Sequence, residues 1–254
     1  MADVMVDRAG GVVTVTLNRP QRKNAVTPAL WKELGGIFAE INSRPDDRVM
    51  ILTGAGEDFC SGADLGRDPS ERTHPLMAMR DVADAALALH RMSKPTIARV
   101  DGVAVGAGMN LALACDLVVA TERARLSQIF RRRGLSVDCG GSWLLPRLVG
   151  MQKAKELVLL GDMISAADAA GMGLVNRVVA PGDIDELVSS WAARLASGPA
   201  LALSMSKMLL NKSFETSMDQ ALEAESQAQA VNLTGPDVKE AFKAFAEKRE
   251  PNFG

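Results

Sequence analysis

Two glycine-bearing segments carry the first sign of chemistry in this chain. Cys60-Ser61-Gly62-Ala63-Asp64-Leu65 follows an apolar run, and Val105-Gly106-Ala107-Gly108-Met109-Asn110 follows another and opens a small-residue helix. Glycine lets the main chain take positive φ and come close to a ligand. The first N–H groups of a helix have no internal partner and sit at the positive end of its dipole. Brought together, two such segments aim two N–H donors at one oxygen, the arrangement called an oxyanion hole. Taken singly, each reads better as a turn and a tightly packed helix start. Other chemistries find less support. The only histidines are His74 and His90 and there is no tyrosine, which leaves nothing for a His-based metal cluster. Neither histidine is matched by a G-x-S-x-G nucleophile segment. GAGMNL lacks the third glycine of the dinucleotide fingerprint, and no P-loop is present. Carboxylates and backbone groups are left to carry any reaction.

Elements must position those segments. Val12 to Leu17 alternates apolar residues with threonine and predicts a strand. Thr27 is placed to cap a helix with Pro28 at its first position, and Leu30, Leu34, Ile37, Phe38 and Ile41 keep helical spacing. Val49 to Thr53 predicts a buried strand ahead of the first glycine segment. Met77 to Met92 predicts a helix stopped by Pro95. Thr96 to Val100 and Val103 to Val105 predict short strands around Asp101-Gly102, and Asp116 to Ala120 another. Strands alternating with helices predict an α/β arrangement. From about residue 139 the pattern turns helical, with a last strand over Val175 to Val179. Residues 182–248 read as helices broken near Gly198-Pro199 and Gly235-Pro236.

Composition sets the class. The chain has 254 residues, 47% hydrophobic and 24% charged, as in ordinary folded domains. A net charge of -2 provides no basic excess for neutralising many phosphates, so nucleic acid is not an expected partner. Cys60, Cys115 and Cys139 fit no metal or disulfide framework, which favours a reducing cytoplasm. The opening MADVMVDRAGG lacks the basic and apolar regions of a signal peptide. No apolar stretch is long enough to span a bilayer, so no membrane association is expected.

The two glycine segments together are far more specific than either alone. LNRPQRKNAV, ILTGAGEDFCSGADL, KPTIARVDGVAVGAGMNLALACDLVVAT, GLSVDCGGSWLLPRLVG, AADAAGMGLVNRVV and EKREPNFG occur in that order along almost the whole chain. In this series the chain resembles the crotonase superfamily, the enoyl-CoA hydratase/isomerase family. The resemblance implies an α/β fold, a crotonase-like spiral of ββα units over residues 1–195. It implies a helical C-terminal trimerisation region over residues 196–254, and homotrimers or homohexamers. It implies an acyl-CoA or enoyl-CoA substrate, with coenzyme A as part of that substrate and no separate cofactor or metal. The implied oxyanion donors are the N–H groups of Ala63 and Ala107. Ala107 departs from the more usual glycine, and alanine keeps the main-chain donor. Arg22 and Lys23 occupy the loop where the family places cations near the CoA phosphates; a solvated loop is an equal alternative. Asp64 and Leu65 lie where the family's backbone meets the adenine end. Lys248 and Phe253 lie in a tail that approaches CoA in relatives, against the alternative of a frayed terminus.

The chain departs from the family's hydratases at both of their glutamates. Asn110 stands at one position and Phe130 at the other. Asparagine can place a water but cannot exchange protons near neutral pH, and phenylalanine does neither, so the two-glutamate hydration mechanism is in doubt. Asp138, in GLSVDCGGSW, is the remaining carboxylate at a family position, one where some isomerases and a dehalogenase of the family carry aspartate. An isomerase needs a single base, whose pKa an apolar pocket would raise. Phe130 and Trp143 are read as pocket wall. Standing alone, Asp138 before Cys139-Gly140-Gly141 would be a helix N-cap. The expected activity is double-bond isomerisation with Asp138 as acid and base. The alternatives are a hydratase using non-standard residues and a non-catalytic acyl-CoA-binding protein.

Overall fold

Period-two alternation decides how the main sheet is covered on its two faces. The computed structural model describes residues 2–66 and 74–253. Strands β1 (Val4–Ala9), β2 (Val12–Leu17), β3 (Val49–Gly54), β4 (Thr96–Val100), β6 (Leu117–Thr121) and β9 (Arg177–Val179) form one sheet in the order β1-β2-β3-β4-β6-β9. Only β1 and β2 pair antiparallel; the other neighbours are parallel. Parallel neighbours need crossovers, and helices supply them. Val49, Ile51, Ile97 and Val119 point to one face and meet Ile184, Val188 and Ala192 of α6 (Ile184–Ala196). Met50, Leu52, Ala98, Val100, Val118 and Ala120 point to the other. There they meet α1 (Pro28–Ser43), α2 (Pro75–His90) and α3 (Ala107–Ala114), through residues such as Leu34, Phe38, Leu89 and Met109. Each large apolar side chain so buried stabilises the fold by about 1.5–3 kcal/mol.

A second sheet explains the spiral. β5 (Val103–Val105), β7 (Arg125–Ser127) and β8 (Ile164–Ser165) form it, with β5 and β7 parallel. The chain leaves β4 for β5, and later β6 for β7, so successive units step from the large sheet to the small one at matching corners. Asp101 joins the two corners. Its carboxylate accepts from Arg123 Nε at 2.7 Å and Nη2 at 2.6 Å, and from Thr121 Oγ1 at 2.6 Å. Gly102 completes the bend at φ +54°, where an added Cβ would stand 2.1 Å from the Glu57 carbonyl oxygen.

Helix α4 (Gly141–Leu160) is broken at Gly150, where φ is 73°. After the short α5 (Ala166–Gly171) come α6 and then α7 (Ala200–Lys212), α8 (Met218–Thr234) and α9 (Pro236–Glu247). The helix breaks expected near residues 198 and 235 are present. Another, at residues 213–217, was not expected, and Ser217 restarts the chain there with a capping box. Strands β1, β7 and β8 were also not anticipated. β1 is an edge strand with one buried residue, and the other two span three residues or fewer, so neither alternation nor length marks them. Helices α7 to α9 bury little: Ala228 in α8, Ala244 in α9 and none in α7. Exposed here are Leu210 of α7, Phe214 of the connection to α8, and Phe242 and Phe245 of α9, the last 85% exposed. No helix among the described residues is long and apolar enough to cross a membrane.

Candidate active site

The two glycine segments meet backbone to backbone. Cys60 N–H donates to the Val103 carbonyl at 2.9 Å, and Val105 N–H donates to the Cys60 carbonyl at 3.0 Å. Gly108 permits this approach, since an added Cβ would stand 2.3 Å from the Cys60 oxygen. Gly62, at φ +91°, would place a Cβ 2.9 Å from the Val105 oxygen and 3.5 Å from the Ala107 nitrogen. Neither position tolerates a side chain, which is the physical reason for both glycines.

This packing leaves two N–H groups unspent. Val26 N–H donates to the Gly62 carbonyl at 2.8 Å and Asp64 N–H donates to the Val26 carbonyl at 2.9 Å. Alternate amides of an extended segment point to opposite sides, so the Ala63 N–H faces away from Val26. Gly106 N–H is taken by the Ser127 carbonyl at 2.8 Å, whereas Ala107 is the first residue of α3 and has no intrahelical acceptor. Among the described residues, neither Ala63 N–H nor Ala107 N–H has a hydrogen-bond partner. Phe130 is 6% exposed, and its ring atoms lie 3.7 and 3.9 Å from the point where a Gly106 Cβ would be. The aromatic ring thus packs beside the start of α3.

Asp138 is held by its main chain. Asn110 Nδ2, one turn into α3, donates to the Asp138 carbonyl at 2.8 Å, and Gly141 N–H donates to the same oxygen at 2.9 Å. The turn is tight: Cys139 has φ 48° and Gly140 φ 79°. Positive φ is costly for a residue with a side chain. Gly141 lets the turn lie on α3, since an added Cβ would stand 2.4 Å from Asn110 Nδ2. The Asp138 side chain does not cap α4; Gly140 is the N-cap residue and makes no side-chain cap bond. Asp138 Oδ1 is buried without a hydrogen-bond partner among the described residues. Burial pushes the carboxyl up to about 6.

The other expected site residues divide by location. Asn110 is fully buried, and its side-chain oxygen accepts from Gln128 Nε2 at 2.8 Å. Its amide is therefore spent on structure, and the expected contact with substrate gives way to a grip on Asp138. A polar residue within the otherwise apolar MNLALA helix was the available signal for that role. Asp64 accepts from Gly66 N–H at 3.0 Å and pairs with Arg19 Nη1 at 2.9 Å. Those bonds hold its carboxyl below the usual range and fix the loop. Leu65 is 57% exposed beside it. Arg22 and Lys23 are exposed, with Lys23 Nζ 3.3 Å from Asp58 Oδ2. The Arg22 and Lys23 carbonyls accept from Ser61 Oγ and Ser61 N–H, so this cationic loop is tied to the first glycine segment. Trp143 packs edge-on to His90, with centroids 5.0 Å apart, and carries Arg147 Cζ 3.9 Å over its ring. It lines a cavity that Cys139 and Gly140 of the Asp138 turn also line and Asp138 itself does not. Lys248 ends α9 at φ 55°, and the tail after it folds back, with Arg249 and Asn252 N–H bound to Glu240. The half-buried Phe253 belongs to that tail. None of the tail's described hydrogen bonds reaches the glycine segments or Asp138.

Comparison with known proteins bears on the same residues. The family described as "Enoyl-CoA hydratase/isomerase" matches residues 7–254. A probable enoyl-CoA hydratase of Rhodobacter capsulatus is 37% identical over 244 residues, covering 96% of this chain and 94% of the relative. The 1,2-epoxyphenylacetyl-CoA isomerase of Escherichia coli K12 is 35% identical over 248 residues, covering 96% and 95%. Among solved structures, an enoyl-CoA hydratase of Mycobacterium smegmatis superposes with a TM-score of 0.93 at 36% identity, covering 100% of this chain and 99% of that one.

Proposed function

Since the chain belongs to the enoyl-CoA hydratase/isomerase family and is an enzyme of the crotonase superfamily, we propose that it isomerises the double bond of an enoyl-CoA thioester with Asp138 as the single acid–base group. The observation that carries this reading is the state of Asp138. Its main chain is anchored to α3, one side-chain oxygen is buried without a partner, and the carboxyl sits at about 6. A group near that value can take a proton and give it back at neutral pH.

The thioester oxygen accepts hydrogen bonds from Ala63 N–H and Ala107 N–H. Asp138 removes a proton from the carbon between the thioester and the alkene. The electron pair moves onto the thioester oxygen as a dienolate, which the two N–H groups and the helix start stabilise. The protonated Asp138 then delivers the same proton two carbons further along, and the double bond comes into conjugation with the carbonyl. No water enters or leaves. Phe130 keeps the start of α3 dry and leaves no second carboxylate to activate water. Arg22 and Lys23 meet the CoA phosphates at the exposed loop, and the backbone of Ala63 to Leu65 borders the nucleotide end. Lys248 and Phe253 approach CoA from the tail.

Incubating the wild type and Asp138→Ala with trans-3-enoyl-CoA and trans-2-enoyl-CoA thioesters, with products resolved by mass and retention time, tests this. An isomer of unchanged mass that the variant fails to form is the expected result. A product heavier by one water would make the protein a hydratase. No turnover of any thioester would favour a binding protein.

A further inference from the structure

Cys139 and Gly140, the residues directly after Asp138, line a cavity of about 650 Å³ between α2, the start of α4 and α7. Ala86, Leu87, Met92, Ala114, Leu144 and Met208 give it apolar walls. This volume suits a whole ligand or a large acyl group and far exceeds a four-carbon chain. The wall also carries the imidazole of His90. That ring is oriented by Trp143, and its nitrogens have no hydrogen-bond partner among the described residues. Burial, then the neighbouring Lys207, lowers the His90 pKa, so the ring is neutral and can both donate and accept. Lys207 itself is engaged, with Nζ 2.8 Å from Asp116 Oδ2 and 3.0 Å from the Lys94 carbonyl. The other charged lining residues, Arg91, Lys212 and Glu215, are exposed to solvent. The uncharged polar groups of the wall are therefore His90, the half-buried Ser204 and Asn211, the last donating from Nδ2 to the His90 carbonyl at 3.4 Å, and the exposed Ser93, set among apolar side chains.

We infer that this cavity receives the far end of the acyl group, and that His90 selects a chain carrying an uncharged hydrogen-bonding substituent such as a hydroxyl. The inference rests on the proposed acyl-CoA function, with the reacting carbons at Asp138 and the chain continuing past Gly140. His90 is then a specificity residue that never touches the reacting atoms.

The test uses saturated thioesters, whose binding needs no turnover. Dissociation constants of butyryl-, octanoyl- and decanoyl-CoA and their ω-hydroxy forms are measured for the wild type, His90→Phe, His90→Gln and Ala86→Leu. Affinity should rise about fourfold per methylene beyond butyryl. At one chain length the hydroxyl should improve it further. His90→Phe should lose roughly tenfold for that hydroxylated thioester, with the unsubstituted ones changed less than about twofold. His90→Gln, which keeps a donor and an acceptor, should recover part of the loss. Ala86→Leu should weaken the long chains and spare butyryl-CoA. Should Ala86→Leu fail to fold, Ala83→Phe at the exposed rim fills the same space. Equal affinity at all chain lengths, or equal losses with and without the hydroxyl in His90→Phe, overturns the inference. Length-dependent binding without isomerase activity overturns only the proposed reaction. Failure of every thioester to bind overturns both.

Discussion

Asp138 links two properties that are usually separate, its proposed role as a base and its cost to the fold. Its carboxyl lies at about 6 against an ordinary value of 3.8, because burial penalises the charged form. The folded chain therefore holds a proton between about pH 4 and pH 6 that the unfolded chain has released. Stability falls as pH rises through that window, and above it the ionised Asp138 is a net burden. The full shift would correspond to about 3 kcal/mol, and solvent access to this half-buried group reduces that to about 1–2 kcal/mol. Asp138→Asn should raise Tm by roughly 3–6 °C near pH 8 and leave it unchanged near pH 4. Thermal denaturation at the two pH values reads the difference. The same variant should lose about 10²–10⁴ in turnover. In the wild type kcat/KM should rise with pH to a plateau with its midpoint near 6, because the base must be ionised in the free enzyme. An Asp138→Asn protein equally destabilised at both pH values would show that the carboxylate has a structural partner after all.

At the scale of elements, the two N–H groups proposed as oxyanion donors are consequences of chain direction rather than of side chains. Ala107 can be tested without changing the helix, since proline is tolerated at the first helical position and replaces the N–H with a ring methylene. Ala107→Pro should lower kcat by about 10²–10³ with helix content by circular dichroism unchanged, whereas Ala107→Gly should stay near the wild type. The strands and helices that bring the two segments together were legible where alternation or 3.6-residue spacing was strong, as in β2, β3 and α1. The glycine segments were legible because glycine has few other reasons to recur there. Two things were hidden. The use of Asn110 as an anchor depends on a turn many residues later lying against α3, which Gly141 permits and no local pattern shows. The bonding of Asp64 to Arg19 is likewise a contact between distant loops. Residue type alone suggested that Asn110 faced substrate; packing turned it inward.

For the molecule as a whole, the unmatched surface lies at the C-terminal end. α7 to α9 bury almost nothing within the chain; with the connection at residues 213–217 they present Leu210, Phe214, Phe242 and Phe245. We propose that these exposed apolar side chains form a contact surface between copies of the chain. Assembly into trimers or paired trimers should give a solution mass of roughly three or six times the 27.0 kDa of one chain by light scattering. A Phe242→Ser, Phe245→Ser double variant should shift that mass toward one chain, while a single-chain mass for the wild type would refute assembly. The mode of attachment of Asp138 has a wider meaning. Asn110 and the Gly141 amide grip a peptide oxygen that every amino acid possesses, so the mounting is indifferent to what it carries. A mutation at this one codon would deliver a new functional group to the same coordinates. Such a scaffold behaves as an interchangeable tool holder, and reactions can diverge on it without the frame having to be rebuilt.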